Sequence, residues 1–252
     1  MLRKGDLTQG GITGTLLHFT LPMMVGSFLQ QCYNIADTLI VGQCIGAGAL
    51  AAVGSAYTLM VFLISVLLGL AMGSGTVFSL HYGAGNHVAL RRSIFSSFVL
   101  IGIVTLILNV AVFIWLDPIL RLLQVPQDIY GMMRSYSWII FCGIVFTFIY
   151  NFYASLLRAV GDSVTPLWFL AVSVVLNIAL DLFFILQLDW GIQGAASATV
   201  LAQGVAALGI IIYTYRRRPE LRWHHEDMCF DRTCLKEIAS FSTLTCVQQS
   251  VM

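Results

Sequence analysis

Seven apolar stretches separated by short polar connections leave this 252-residue chain one environment in which to fold. Six of them cover residues 15–41, 50–82, 94–116, 135–157, 166–188 and 195–215, and a seventh begins at 238. A helix crosses the hydrocarbon of a bilayer in roughly 20 mostly apolar residues, and each of the six is long enough. A water-soluble fold would carry charge on about a quarter of its residues; here 10% are charged and 58% are hydrophobic. The expected fold class is an all-α polytopic membrane protein built as a six-helix transmembrane bundle, with the lipid bilayer as its first partner. The first stretch does not read as a signal peptide: it runs well beyond a short apolar core, contains Pro22 and Asp37, and lacks a small-residue cleavage site. A net charge of +1 gives no reason to expect nucleic acid.

The basic residues sort by side. Arg3, Lys4, Arg91, Arg92, Arg158, Arg216, Arg217, Arg218, Arg222, Arg232 and Lys236 fall on one set of alternating connections, and only Arg121 and Arg134 on the other. Lys and Arg near span ends mark the cytoplasmic side, so the N-terminus is expected in the cytoplasm, in the plasma membrane of a bacterial cell. Small residues recur at helical spacing in the second stretch (Ser65, Gly69, Gly73) and in the sixth (Ala195, Ala198, Ala202, Ala206), a pattern for close packing of helices in lipid.

The chain also begins to repeat itself. Offset by 222 residues, Lys236–Met252 falls on Gly14–Gln30, with Phe241 on Phe19, Ser242 on Thr20 and Val247 on Val25. Parallel repeats are common in transporters. The expected organisation is therefore a six-helix lobe over 1–215, a basic cytoplasmic linker over 216–236, and the start of a seventh span over 237–252, with a second lobe to follow.

Of the 12 acidic residues, only Asp37 and Asp181 lie well within apolar spans, where a carboxylate costs about 2.5–3.5 kcal/mol on insertion scales. No Lys or Arg lies mid-span to pair with them. Asn177 precedes Asp181 by four residues and shares its helix face. A carboxylate beside an amide carbonyl suits a hard cation, and the same carboxyl can instead carry a proton. A buried Asp satisfied by Asn177 and a hydroxyl such as Thr199 is the structural alternative, and for Asp37 the alternative is hydration near the outer surface. Pro22 removes one backbone hydrogen bond earlier in the first helix, so that helix could bend. The cysteines beside apolar segments read as small core-packing residues, and Cys229 and Cys234 near His224 and His225 match no common zinc spacing. The phosphate loop, the His-Glu metal helix and the Gly-x-Ser-x-Gly elbow are missing, so neither an enzyme nor a bound organic cofactor is expected.

Several segments together resemble the multidrug and toxic compound extrusion (MATE) family. They are Pro22 followed by Asn34-Ile35-Ala36-Asp37 and Val41-Gly42, the 69–85 stretch, the loop Arg158-x-x-Gly161-Asp162-x-x-Thr165-Pro166, and Asn177 with Asp181. The resemblance implies twelve helices in two lobes and export of small organic cations by antiport against sodium or protons. This chain then corresponds to the first lobe and the start of the seventh helix. It also implies that Asp37 is a coupling acid, that Asn177, Asp181 and Thr199 form a polar cluster on helices five and six, and that Tyr136 lies beside it. Where some members carry an Asn late in the fourth helix, this chain has Ala154, with Asn151 one turn earlier as a candidate substitute. A flippase of lipid-linked saccharides with related architecture is the alternative. It would be expected to place cationic side chains inside the lobe, and this lobe has none mid-span.

Overall fold

The computed structural model describes residues 12–222, 237–242 and 245. Six long helices follow one another: α1 Ile12–Cys44, α2 Ala47–Gly83, α3 His87–Leu122, α4 Gln127–Ala159, α5 Val164–Leu182 and α6 Gly191–Arg217. The links between them are a few residues each, so neighbours in sequence run antiparallel. Among the described residues there is no strand. The basic linker falls largely on 223–236, outside the described residues, as do His224, His225, Cys229 and Cys234.

Most helices overrun the apolar stretches that announce them: the third stretch, 94–116, lies inside a helix that spans His87–Leu122. The stretch marks the hydrocarbon, while the helix continues into the interface and ends at its caps. Asn86 shows this for α3, its side chain accepting from the Ala89 N–H at 3.1 Å. The fifth stretch differs in another way. α5 stops at Leu182, and its last turn, Phe183–Gln187, is a π-helix. Phe184 in that turn stacks on Trp190, their ring centroids 5.1 Å apart. Five of the six helices are long and apolar enough to cross a membrane. α1, 33 residues long, runs unbroken through Pro22.

α4 is the hub. It packs against α2, α3 and α6, while α5 lies on α6 and α1. Its inward residues, Met133, Tyr136, Ile140, Ile144, Phe148 and Phe152, recur every three or four positions, as one helix face requires. Phe98, Phe148 and Phe152 bring their rings within 5.3–6.1 Å of one another and bind α3 to α4, and Phe78 adds α2 at 5.9 Å. The outer faces carry Phe28, Leu106, Ile114, Trp115, Trp168 and Val175, all more than half exposed and suited to lipid. Cys32, Cys44 and Cys142 lie exposed on these outer faces as well. For these three that corrects the expectation of core packing, since in lipid a small apolar thiol gains nothing by turning inward; Cys246 lies outside the described residues.

Candidate functional site

Asp37 and Asp181 meet in the interior of the bundle. α1 supplies Asp37 and, one turn before it, Tyr33; α5 supplies Asn177 and Asp181; α6 supplies Thr199; α4 supplies Tyr136. Asp181 is fully buried, Asn177 is 1% exposed and Asp37 is 9% exposed. The two carboxyls lie close enough to interact electrostatically. Asn177 bridges outward from them. With its nitrogen turned toward the carboxylate, Nδ2 donates to Asp181 Oδ2 at 2.9 Å and Oδ1 accepts from the Thr199 N–H at 3.2 Å. The Thr199 hydroxyl donates its one proton to the Ala195 carbonyl at 3.1 Å. It is therefore free to accept from the Tyr33 hydroxyl, 3.3 Å away. Tyr136 is buried alongside, within electrostatic range of Asp37, Tyr33 and Asp181.

What this network leaves open is as informative as what it closes. Asp37 Oδ1 and Asp181 Oδ1 are buried without a hydrogen-bond partner. Among the described residues, no Lys or Arg pairs with either carboxyl. Two carboxyls side by side in a low dielectric cannot both stay charged unless something positive sits with them. The arrangement can accommodate a proton or a small hard cation, and oxygen is the only ligand type it offers, as such cations prefer.

Thr199 also lines a small cleft between α2, α4 and α6, together with Met60, Ile64, Ile140, Ile144 and Gln203. The cleft is mostly apolar. One of its polar features is a hydrogen bond from the Thr147 hydroxyl to Gln203 Oε1. Thr199 thus belongs both to the carboxyl network and to the cleft wall.

The loop motif folds as a clamp. Gly161 takes a φ of +86°, which a side chain would strain. It lets Asp162 turn back over the start of α5, where its carboxylate accepts from the Thr165 N–H at 3.0 Å and the Thr165 hydroxyl at 2.8 Å. Arg218, just past α6, reaches the same carboxylate at 3.6 Å, and the Tyr213 hydroxyl lies 3.5 Å from it. Pro166 is buried, and its carbonyl accepts from the Tyr150 hydroxyl at 3.0 Å. Arg158 donates to the Ala154 carbonyl at 3.1 Å. These residues join α4, α5 and α6 at the basic end of the bundle, away from the carboxyl pair.

The structure brings together Asp37, Asn177, Asp181, Thr199 and Tyr136. It does not bring Asn151 to them, since that amide donates to the Thr147 carbonyl of its own helix at 2.8 Å. Sequence reasoning missed Tyr33, although its position one turn before Asp37 places it on the same helix face. It also missed Thr147 and Gln203, for which no local sequence signal exists.

A model of the MatE family matches residues 22–183. The chain belongs to the MATE family. Among curated proteins it is 36% identical over 217 residues to "Probable multidrug resistance protein YpnP" of Bacillus subtilis, covering 86% of this chain and 49% of that protein. It is 31% identical over 210 residues to multidrug export protein MepA of Staphylococcus saprophyticus, covering 80% of this chain and 45% of that protein. Its fold superposes with a TM-score of 0.91 at 24% identity on a solved structure described as the outward-facing conformation of a multidrug resistance MATE family transporter. That match covers 99% of this chain and 55% of the other. This MATE chain spans about half the length of the curated relatives it matches.

Proposed function

We propose that this MATE chain is the first lobe of a secondary active antiporter that exports small organic cations, driven by an inward gradient of sodium or protons. The observation that carries the reading is the buried Asp37–Asp181 pair, with one unpartnered oxygen on each and no basic side chain against either among the described residues. The coupling ion sits there, held by the two carboxyls, and Asn177 and Thr199 fix their orientation. Tyr33 and Tyr136 complete the wall. The adjoining small apolar cleft forms this lobe's share of the wall against the hydrophobic part of the cargo, and the names of relatives as multidrug resistance and multidrug export proteins support drugs as cargo.

The orientation follows from the charges. The basic end, with the turn at 84–86, the clamp at Asp162 and the end of α6, faces the cytoplasm of a bacterial plasma membrane, and the N-terminus lies on the same side. A second lobe completes the cleft.

Retention of a fluorescent organic cation in cells stripped of their own pumps tests the reading, with sodium and pH gradients imposed separately. The chain completed by a second lobe is expected to export the dye under one of the two gradients. Its Asp181→Asn variant is expected to insert normally and to export nothing. Normal export by the variant, or none by a well-expressed completed protein, would remove the proposal.

A further inference from the structure

Residues 237–242 return as a helical turn onto the outer face of α2 near its basic end. Gly73 makes the approach possible. A Cβ built there would lie 2.5 Å from Ser242 Oγ, 2.6 Å from Ser242 Cα and 2.7 Å from its backbone nitrogen, so no side chain of any size fits. One turn along, Val77 and Ile238 bury each other completely, with Leu100 of α3 packed against them, in a cluster separate from the main core. A further turn along, His81 Nε2 stands 4.0 Å from Glu237 Oε2, both side chains partly exposed. Gly73, Val77 and His81 are spaced by four and form one stripe on α2, and Ser242, Ile238 and Glu237 lie against it in reverse order.

From this contact we propose that the Gly73–Val77–His81 stripe of α2 is the seat of the seventh helix, and that the contact is the cytoplasmic closure between the two lobes, broken each time the transport cleft opens inward. The proposal rests on the antiport reading for its second half alone; the seat stands on the packing.

Two features suit a contact that must part. Among the described residues it includes a glycine notch, an aliphatic pair in a cluster of its own, and a 4.0 Å approach of His81 to Glu237 that is an ion pair only while the imidazole is protonated. It is also left imperfect: the hydroxyls of Ser242 and of Ser74, next to the notch, are buried without a hydrogen-bond partner. A permanent helix seam would be expected to satisfy such groups, since each buried unpaired hydroxyl weakens the joined state. In lipid, where apolar burial between helices gives no drive, close backbone approach at a small residue is the usual source of adhesion, and among the described residues Gly73 supplies it here.

The two-lobe protein, with its native cysteines replaced, tests both halves. A Val77→Cys thiol in inside-out vesicles is expected to react slowly with a membrane-impermeant maleimide, because Ile238 covers it. Gly73→Leu is expected to speed that reaction at least tenfold by lifting 237–242 off its seat. Ile238→Ser, which leaves α2 untouched, is expected to do the same and guards against a misfolded Gly73 variant. In the Val77→Cys/Ile238→Cys pair, a short reducible thiol cross-linker is expected to stop organic-cation export, and a reductant to restore it. Labelling rates unchanged by both variants would overturn the seat. Export that continues at the original rate in fully cross-linked protein would overturn the closure. If the uncross-linked pair exports nothing while Gly73→Leu still accelerates labelling, the antiport reading fails and the seat stands.

Discussion

Replacing Asp181 with Asn puts the coupling site to its most direct test, because the change is nearly silent in shape. The Asn177 amide that donates to Asp181 Oδ2 at 2.9 Å finds a carbonyl oxygen in the same place, so the α5–α6 contact through Thr199 survives. What is lost is one negative charge. A monovalent cation held between the two carboxyls feels about 4 kcal/mol of attraction from each at a separation of about 4 Å and an effective dielectric of about 20. Removing one charge therefore weakens ion binding by about a thousandfold. At any ordinary gradient the site would stay empty. The assay is gradient-driven efflux of a fluorescent cation from proteoliposomes holding the two-lobe protein, normalised to inserted protein, across a titration of the driving ion. Asp181→Asn and Asp37→Asn are each expected to lower coupled efflux by at least about 100-fold, a bound the Coulomb argument supports with room to spare. Because either loss alone leaves the site empty and coupled efflux at its floor, the double variant is expected to lose little efflux beyond either single one. Efflux within about threefold of the parent in Asp181→Asn would refute the ion site.

Other expectations follow from named contacts. Tyr33→Phe removes the hydroxyl that meets Thr199 at 3.3 Å, worth about 0.5–1.5 kcal/mol; it should raise the half-saturating concentration of the driving ion by up to about tenfold and leave insertion unchanged, as an ion titration would show. Gly143→Ala forces a methyl into the side chain of Val200 on α6, an overpacking of about 1–3 kcal/mol; its melting temperature in detergent should fall, and Val200→Ala in the same protein should restore it. Asp162→Ala strips the start of α5 of its cap on Thr165 and the end of α6 of its tie through Arg218, costing about 1–2 kcal/mol. Asp162→Asn keeps the cap and should cost less than half as much, again read by thermal unfolding.

The bundle was legible because the bilayer imposes a simple rule. A length of apolar chain near 20 residues can do little but cross it, and five of the six long helices satisfy that rule by composition alone. α1 stands apart from the others in carrying Gln30, Gln31, Asn34 and Asp37 in its second half, polar groups that anchorage in lipid does not require. The carboxyls were legible on the same grounds, since nothing else in the sequence compensates a mid-span Asp. What the sequence withheld was their pairing. Asp37 and Asp181 are 144 positions apart, and no periodicity says that α1 lies against α5 rather than against α4. Tyr33 shows the boundary well. Its spacing from Asp37 places it on the right face, but its value comes from Thr199, 166 residues away, whose hydroxyl has already given its proton to Ala195. The π-turn after Asp181 was equally hidden, because Phe183–Gln187 is as apolar as the helix it ends. Its geometry is set by contacts of Phe184 with Trp190 and with Gly194, none of which hydropathy registers. Hydropathy reports the solvent each segment must meet, and in this protein the functional information lies in the few polar groups whose partners come from another helix.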